Sequence, residues 1–307
     1  MRRYFPLLLL LAVLGCGSNT KTVDTTQTLA QARAAHTTKL SRQEHASEEV
    51  ATPPAGVFDV VGYTTKDGLL AAYVSPDPGD GKKHPAILWI TGGDCNTIGD
   101  VWTTATPDND QTAAAYRQAG IIMMFPSLRG GNQNPGYKEG FYGEVDDVLA
   151  AADFLASQPY VDPQRIYLGG HSTGGTLVML VAAVSDRFRT VFSFGPVENV
   201  SGYGTEMVPV DMWNRTEVSL RSPESWLHSI VSPTIVIEGK SDGNLSSLLA
   251  MQRANKNPLL TFHAVSGHDH FSVLAPANQL FAQKILADTG AKTNITVTEA
   301  EMAALPR

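Results

Sequence analysis

The chain has 307 residues, room for one large domain or two small ones, and 43% hydrophobic with 17% charged residues is ordinary for a globular protein. A formal net charge of −7 argues against a nucleic-acid-binding surface. The only cysteines are Cys16 and Cys95, too few for a disulfide framework.

The first residues carry a targeting segment. Arg2 and Arg3 form a positive start, and residues 7–14 an apolar run too short to span a bilayer stably. Val13-Leu14-Gly15-Cys16 then resembles a bacterial lipoprotein signal. The resemblance implies removal of residues 1–15 and acyl chains on Cys16, several of which make a stable membrane anchor. It implies a cell-envelope location, at the outer membrane if the source is Gram-negative, since Gly17-Ser18 follows rather than Asp. Residues 16–55 are rich in Thr, Ala, Gln and Ser and poor in large apolar residues. That composition predicts a flexible tether with at most a transient helix over 29–40.

The folded domain is expected over 56–290. Residues 58–63 alternate as a strand, Lys66-Asp67-Gly68 signals a hairpin turn, and 69–74 return as its partner. Residues 86–90 and 120–125 are continuous apolar runs, which suit strands buried on both faces. Helices are expected over 110–118 and 143–156, the latter with Val145, Val148, Leu149, Ala152 and Leu155 on one face. Asp162-Pro163 reads as a turn into a strand at 166–168. Strands follow at 190–194, 234–238 and 259–265, with helices at 244–255 and 276–287. Residues 198–230 are irregular, polar and aromatic, and read as a short cap. Residues 291–307 form a tail without a clear assignment. Strands alternating with helices predict one α/β domain with a mostly parallel sheet.

Between the strand at 166–168 and an apolar helix lies Gly170-His171-Ser172-Thr173-Gly174, a G-x-S-x-G sequence in a strand–turn–helix setting. A nucleophile on such a tight bend needs neighbours without side chains, so that strand and helix can pass closely. Ser172 is the candidate nucleophile, and the Thr173 N–H would face a developing oxyanion. A second N–H is expected from the loop after residue 90, at Gly93.

A serine hydroxyl needs a base, and the base an orienting acid. Asp242 follows one late strand and is the candidate acid, with Glu238 at the strand end as substitute. His270 follows the next strand and is the candidate base, with His268 as competitor. His171, inside the bend, reads as structural, His263 as a packed strand residue and Cys95 as a small buried one. Arg129 reads equally well as substrate-facing or as paired with a structural carboxylate. No metal is implied, because His268-Asp269-His270 has no supporting cluster of ligands.

From about 57 to 290 the chain resembles the α/β-hydrolase catalytic domain of the prolyl oligopeptidase and dienelactone hydrolase group. The matching features are Thr91-Gly92-Gly93, Gly143-Glu144-Val145-Asp146-Asp147, Gly170 to Gly175, Ser222-Pro223, Gly239 to Asp242 and His270-Phe271. The resemblance implies an α/β-hydrolase fold with helices on both faces of the sheet and a cap insertion. It also implies a Ser172–Asp242–His270 triad, an acyl-enzyme and no cofactor. The family often has His-Gly-Gly where this chain has Thr91-Gly92-Gly93. Too few residues precede the domain for the β-propeller of the oligopeptidases. The expectation is therefore a carboxylic ester hydrolase acting on a small ester, with a peptidase or amidase on short peptides as the alternative. A non-catalytic envelope binding protein on the same scaffold is a third reading.

Overall fold

The computed structural model describes residues 26–307. The targeting segment 1–15, Cys16 and residues 17–25 of the expected tether lie outside the described residues.

Eight strands form one sheet: β1 (Asp59–Thr65), β2 (Gly68–Val74), β3 (His84–Ile90), β4 (Ile122–Pro126), β5 (Val161–His171), β6 (Val191–Phe194), β7 (Thr234–Gly239) and β8 (Leu260–Val265). Their order is β1-β2-β4-β3-β5-β6-β7-β8, antiparallel for β1/β2 and β2/β4 and parallel elsewhere. This is the α/β-hydrolase fold. The β1/β2 hairpin closes with Thr65 opposite Gly68. Asp162-Pro163 lies within β5 rather than before it. The pairing with β3 shifts register after His84, which accommodates a proline that cannot donate to the ladder.

Strand side chains alternate between two cores, as a period of two requires. Ala86, Leu88 and Ile90 of β3 join Ile166 and Leu168 of β5 in one core; Ile87, Trp89, Tyr167, Phe192 and Phe194 join the other. The first is covered by α3 (Glu144–Ser157) and α4 (Thr173–Val184), the second by α2 (Ala114–Gln118) and α8 (Leu274–Ala287). Helix α2 starts later than the sequence suggests. Ala113 is left-handed, at φ 47°, and the Asp110 carboxylate accepts from the Thr112 and Ala114 N–H groups in a turn.

Residues 26–55 correct the tether expectation: they form a strap laid over the body. Helix α1 (Leu29–Ala34) is closed by a Thr28/Gln31 capping box, and Leu29 is fully buried. The Lys39 N–H and Thr38 hydroxyl donate to Glu217 at 3.0 and 2.9 Å, and Ser41 N–H to Pro209 O at 2.8 Å. Farther on, Ala46 N–H donates to Gly130 O at 2.7 Å and the Tyr73 hydroxyl to Ala51 O at 2.7 Å. The segment builds no core of its own. It satisfies polar groups of the domain, which composition does not reveal.

The cap contains α5 (Gly204–Met207), α6 (Arg215–Arg221) and short 3-10 turns. Helix α7 (Leu245–Ala254) flanks the last strands. The tail ends in α9 (Glu299–Ala303), docked through buried Met302 and a Lys284–Glu301 pair.

Candidate active site

Ser172 sits between β5 and α4 at φ 56° and ψ −112°, a conformation costly for a residue with a side chain. Its N–H donates to Phe194 O at 2.7 Å, which holds the bend. The glycines are required by contact. A Cβ on Gly174 would come within 2.3 Å of Ile90 O, and one on Gly170 within 2.6 Å of Gly174 O. Ser172 therefore projects from the start of a helix whose free N–H groups favour negative charge.

Thr173 and Gly93 are brought together: the Thr173 hydroxyl donates to Gly93 O at 2.9 Å. Gly93 is left-handed, at φ 75°. The preceding Gly92 lies so near the bend that a Cβ there would be 3.3 Å from Ser172 Cβ. The two backbone segments nominated for an oxyanion site thus border one space beside Ser172.

His270 lies in the same corner. Its ring centroid is 4.4 Å from that of His171, the residue before Ser172. Gly195 and Gly243 leave room for it, since a Cβ on either would come within 2.4 Å of Cε1 or 2.6 Å of Cβ of His270. The structure corrects the acid. His270 Nδ1 lies 2.9 Å from Glu238 Oε2, whereas Asp242 is exposed and accepts from its neighbour Gly243 N–H at 2.7 Å. Glu238 occupies the end of buried β7 and reaches inward; Asp242 lies beyond the strand, in a loop facing solvent. Glu238 is fully buried and also accepts from Gly239 N–H at 2.8 Å and Asn244 N–H at 3.1 Å. A carboxylate facing Nδ1 places the imidazole proton there and leaves Nε2 bare to accept one.

His268 takes no part in this arrangement; its Nδ1 donates to Ser272 O at 3.1 Å. Arg129 is buried and forked onto Asp147 at 2.8 and 2.7 Å, with Glu139 at 2.7 Å, which is the structural reading of that residue. Burial pushes the Cys95 thiol up, so it is not a thiolate nucleophile. His263 of β8 pairs with Glu299 at 2.9 Å.

Tyr203 of the cap is a site residue that spacing did not identify. Its hydroxyl lies 2.8 Å from Thr176 Oγ1 and also engages the Ser172 side chain, and burial pushes the phenol up. Its ring packs on Phe141 at 5.5 Å. Phe141, Cys95 and Met207 help line a cavity of about 110 Å³ between the loop after β3 and the cap. An aromatic within an irregular cap was the signal, but nothing in the spacing aimed it at Ser172.

Residues 107–287 match the model of the prolyl oligopeptidase family. The chain is similar to dipeptidyl-peptidase 5 of Porphyromonas gingivalis, 28% identical over 214 residues covering 61% of this chain and 30% of that protein. It is similar to S-formylglutathione hydrolase of Bos taurus, 25% identical over 240 residues covering 65% of this chain and 81% of that one. Among solved structures, 2,6-dihydroxy-pseudo-oxynicotine hydrolase shares the fold at a TM-score of 0.59 with 15% identity, covering 80% of this chain and 72% of that chain. The chain spans less than a third of the length of the dipeptidyl peptidase.

Proposed function

Since the chain belongs to the prolyl oligopeptidase family and is a serine hydrolase, we propose that it cleaves short peptides through an acyl-enzyme on Ser172. The observation that carries the chemistry is the 2.9 Å contact of His270 Nδ1 with buried Glu238 beside a strained serine bend. In this reading Ser172 Oγ attacks the scissile carbonyl while His270 Nε2 takes its proton. Glu238 fixes the tautomer and stabilises the imidazolium. The Thr173 N–H and the Gly93 backbone receive the oxyanion charge. His270 then returns the proton to the leaving amine, and water releases the acyl group by the same steps in reverse order.

The similarity to dipeptidyl-peptidase 5 favours peptides over the ester expected from sequence. Ester hydrolysis is the second reading, favoured by the match to S-formylglutathione hydrolase over most of that protein's length. Turnover of aminoacyl and dipeptidyl p-nitroanilides against p-nitrophenyl esters separates them. Amide turnover within about tenfold of ester turnover supports the peptidase; ester turnover alone supports the second reading. Fluorophosphonate labelling that persists in Ser172→Ala would remove the serine from either.

We also propose anchorage through acyl chains on Cys16, which places the hydrolase at a bacterial membrane surface. Intact-mass measurement of protein from its native membrane tests this, and an unmodified Met1 terminus would refute it.

A further inference from the structure

His171 does more than fill the bend. Its Nε2 lies 3.0 Å from the main-chain oxygen of His270. A carbonyl can only accept, so Nε2 carries the His171 proton. Nδ1 is then an acceptor; the Gln111 amide nitrogen lies 2.9 Å from it and the amide oxygen 3.1 Å, and of the two only the nitrogen can donate to it. The same nitrogen donates its other proton to Asn109 Oδ1 at 3.0 Å, and the amide oxygen accepts from Gly92 N–H at 3.4 Å. One amide therefore bridges the loop beside Ser172 to His171, and His171 bridges onward to the backbone of His270.

This rests on His270 being the base of the proposed reaction. We propose that Gln111 and His171 are positioning residues: Gln111 fixes the proton of His171 on Nε2, and that N–H holds His270 in line with Ser172. His171 is buried and packs its ring 4.4 Å from that of His270, tilted by 45°. Burial, assisted by the charge His270 acquires, pushes its pKa down to about 3. The wall beside the base thus stays uncharged while the base gains its proton. A cationic neighbour at that separation would oppose the imidazolium on which proton transfer depends.

The test uses the full chain with p-nitrophenyl acetate and a fluorophosphonate probe. Gln111→Leu and His171→Phe are expected to lower kcat by about tenfold to about a hundredfold, with KM within about twofold, because alignment and not binding is lost. His171→Gln presents an N–H where Nε2 lay and is expected to recover kcat to within about threefold of the unaltered chain. All variants should still label at Ser172 on prolonged exposure, with initial rates that follow kcat. Unchanged kcat in both loss variants, a rise in KM alone, or no advantage of His171→Gln over His171→Phe would overturn the proposal. Should His171→Phe fail to fold, half-exposed Gln111 decides the matter by the same criteria. Absence of labelling in the unaltered chain would instead defeat the underlying assignment of Ser172 and His270.

Discussion

Two glutamates of this molecule share a chemistry and differ in one permanently charged partner. Glu238 and Glu217 are both buried, both accept main-chain N–H groups, and both face a histidine, at 2.9 Å from His270 and 3.0 Å from His36. Glu217, however, also lies 2.6 Å from the Arg221 guanidinium. Among the described residues, the one ion-pair partner of Glu238 is His270. A carboxylate already matched by a permanent cation gains little when a neighbouring imidazole takes a proton. One whose ion-pair partner is that imidazole alone can instead stabilise the charge that develops on the ring during reaction. The fixed guanidinium makes the Glu217 cluster a fastener, while its absence leaves the Glu238 pair suited to proton transfer.

The largest effect that would break this comparison lies at the acid. Glu238→Gln retains the shape and removes the charge, and is expected to reduce kcat by ~10³–10⁴-fold with little loss of fold. Asp242→Asn should leave kcat within about twofold. The opposite ranking in steady-state assays would return the acid role to the exposed loop. Next in size, Glu217→Ala leaves the Arg221 charge buried and unmatched, for an expected loss of ~3–5 kcal/mol in urea unfolding.

A pH experiment sharpens the contrast further. Against its burial, Glu217 is held below the usual glutamate range by the Lys39 N–H, His36, Arg221 and Thr38. A depressed folded value means the stabilisation is complete above about pH 4.3, the unfolded value, and disappears as pH falls through the lower folded one. Hydrogen-exchange protection factors at Lys39 and neighbouring strap amides should fall in that acid window before the sheet opens. Protection unchanged down to pH 2 would contradict this. A smaller loss is expected at His268, whose Nδ1 donates to a main-chain oxygen and not to a buried carboxylate: His268→Ala should lower kcat by less than about tenfold, and His270→Ala by several powers of ten.

Much of the frame was legible because burial on both faces writes itself as unbroken apolar runs, as in β3 and β4. The serine bend was legible because close approach demands glycine at 170 and 174. The acid is less legible, because an aspartate in a polar loop resembles a catalytic position more than a glutamate ending a strand does. The physical signal was nevertheless present. A glutamate within the uncharged, buried run Thr234–Gly239 is too costly to desolvate without a committed partner. Gln111 had no such signal, since it meets His171 only through tertiary approach across 60 residues. The strap was hidden for a related reason, its contacts being chiefly main-chain hydrogen bonds that any sequence can supply.

That strap bears on how the enzyme is to be produced for assay. Recombinant material trimmed to the sequence-derived start at residue 56 would strip His36, Thr38 and Lys39 from Glu217 and empty the seat of Leu29, worth roughly 1.5–3 kcal/mol in lost apolar burial alone. Poor yield or sluggish turnover from such material would report a missing buttress beneath the cap. Dependable preparations should begin upstream of Thr28.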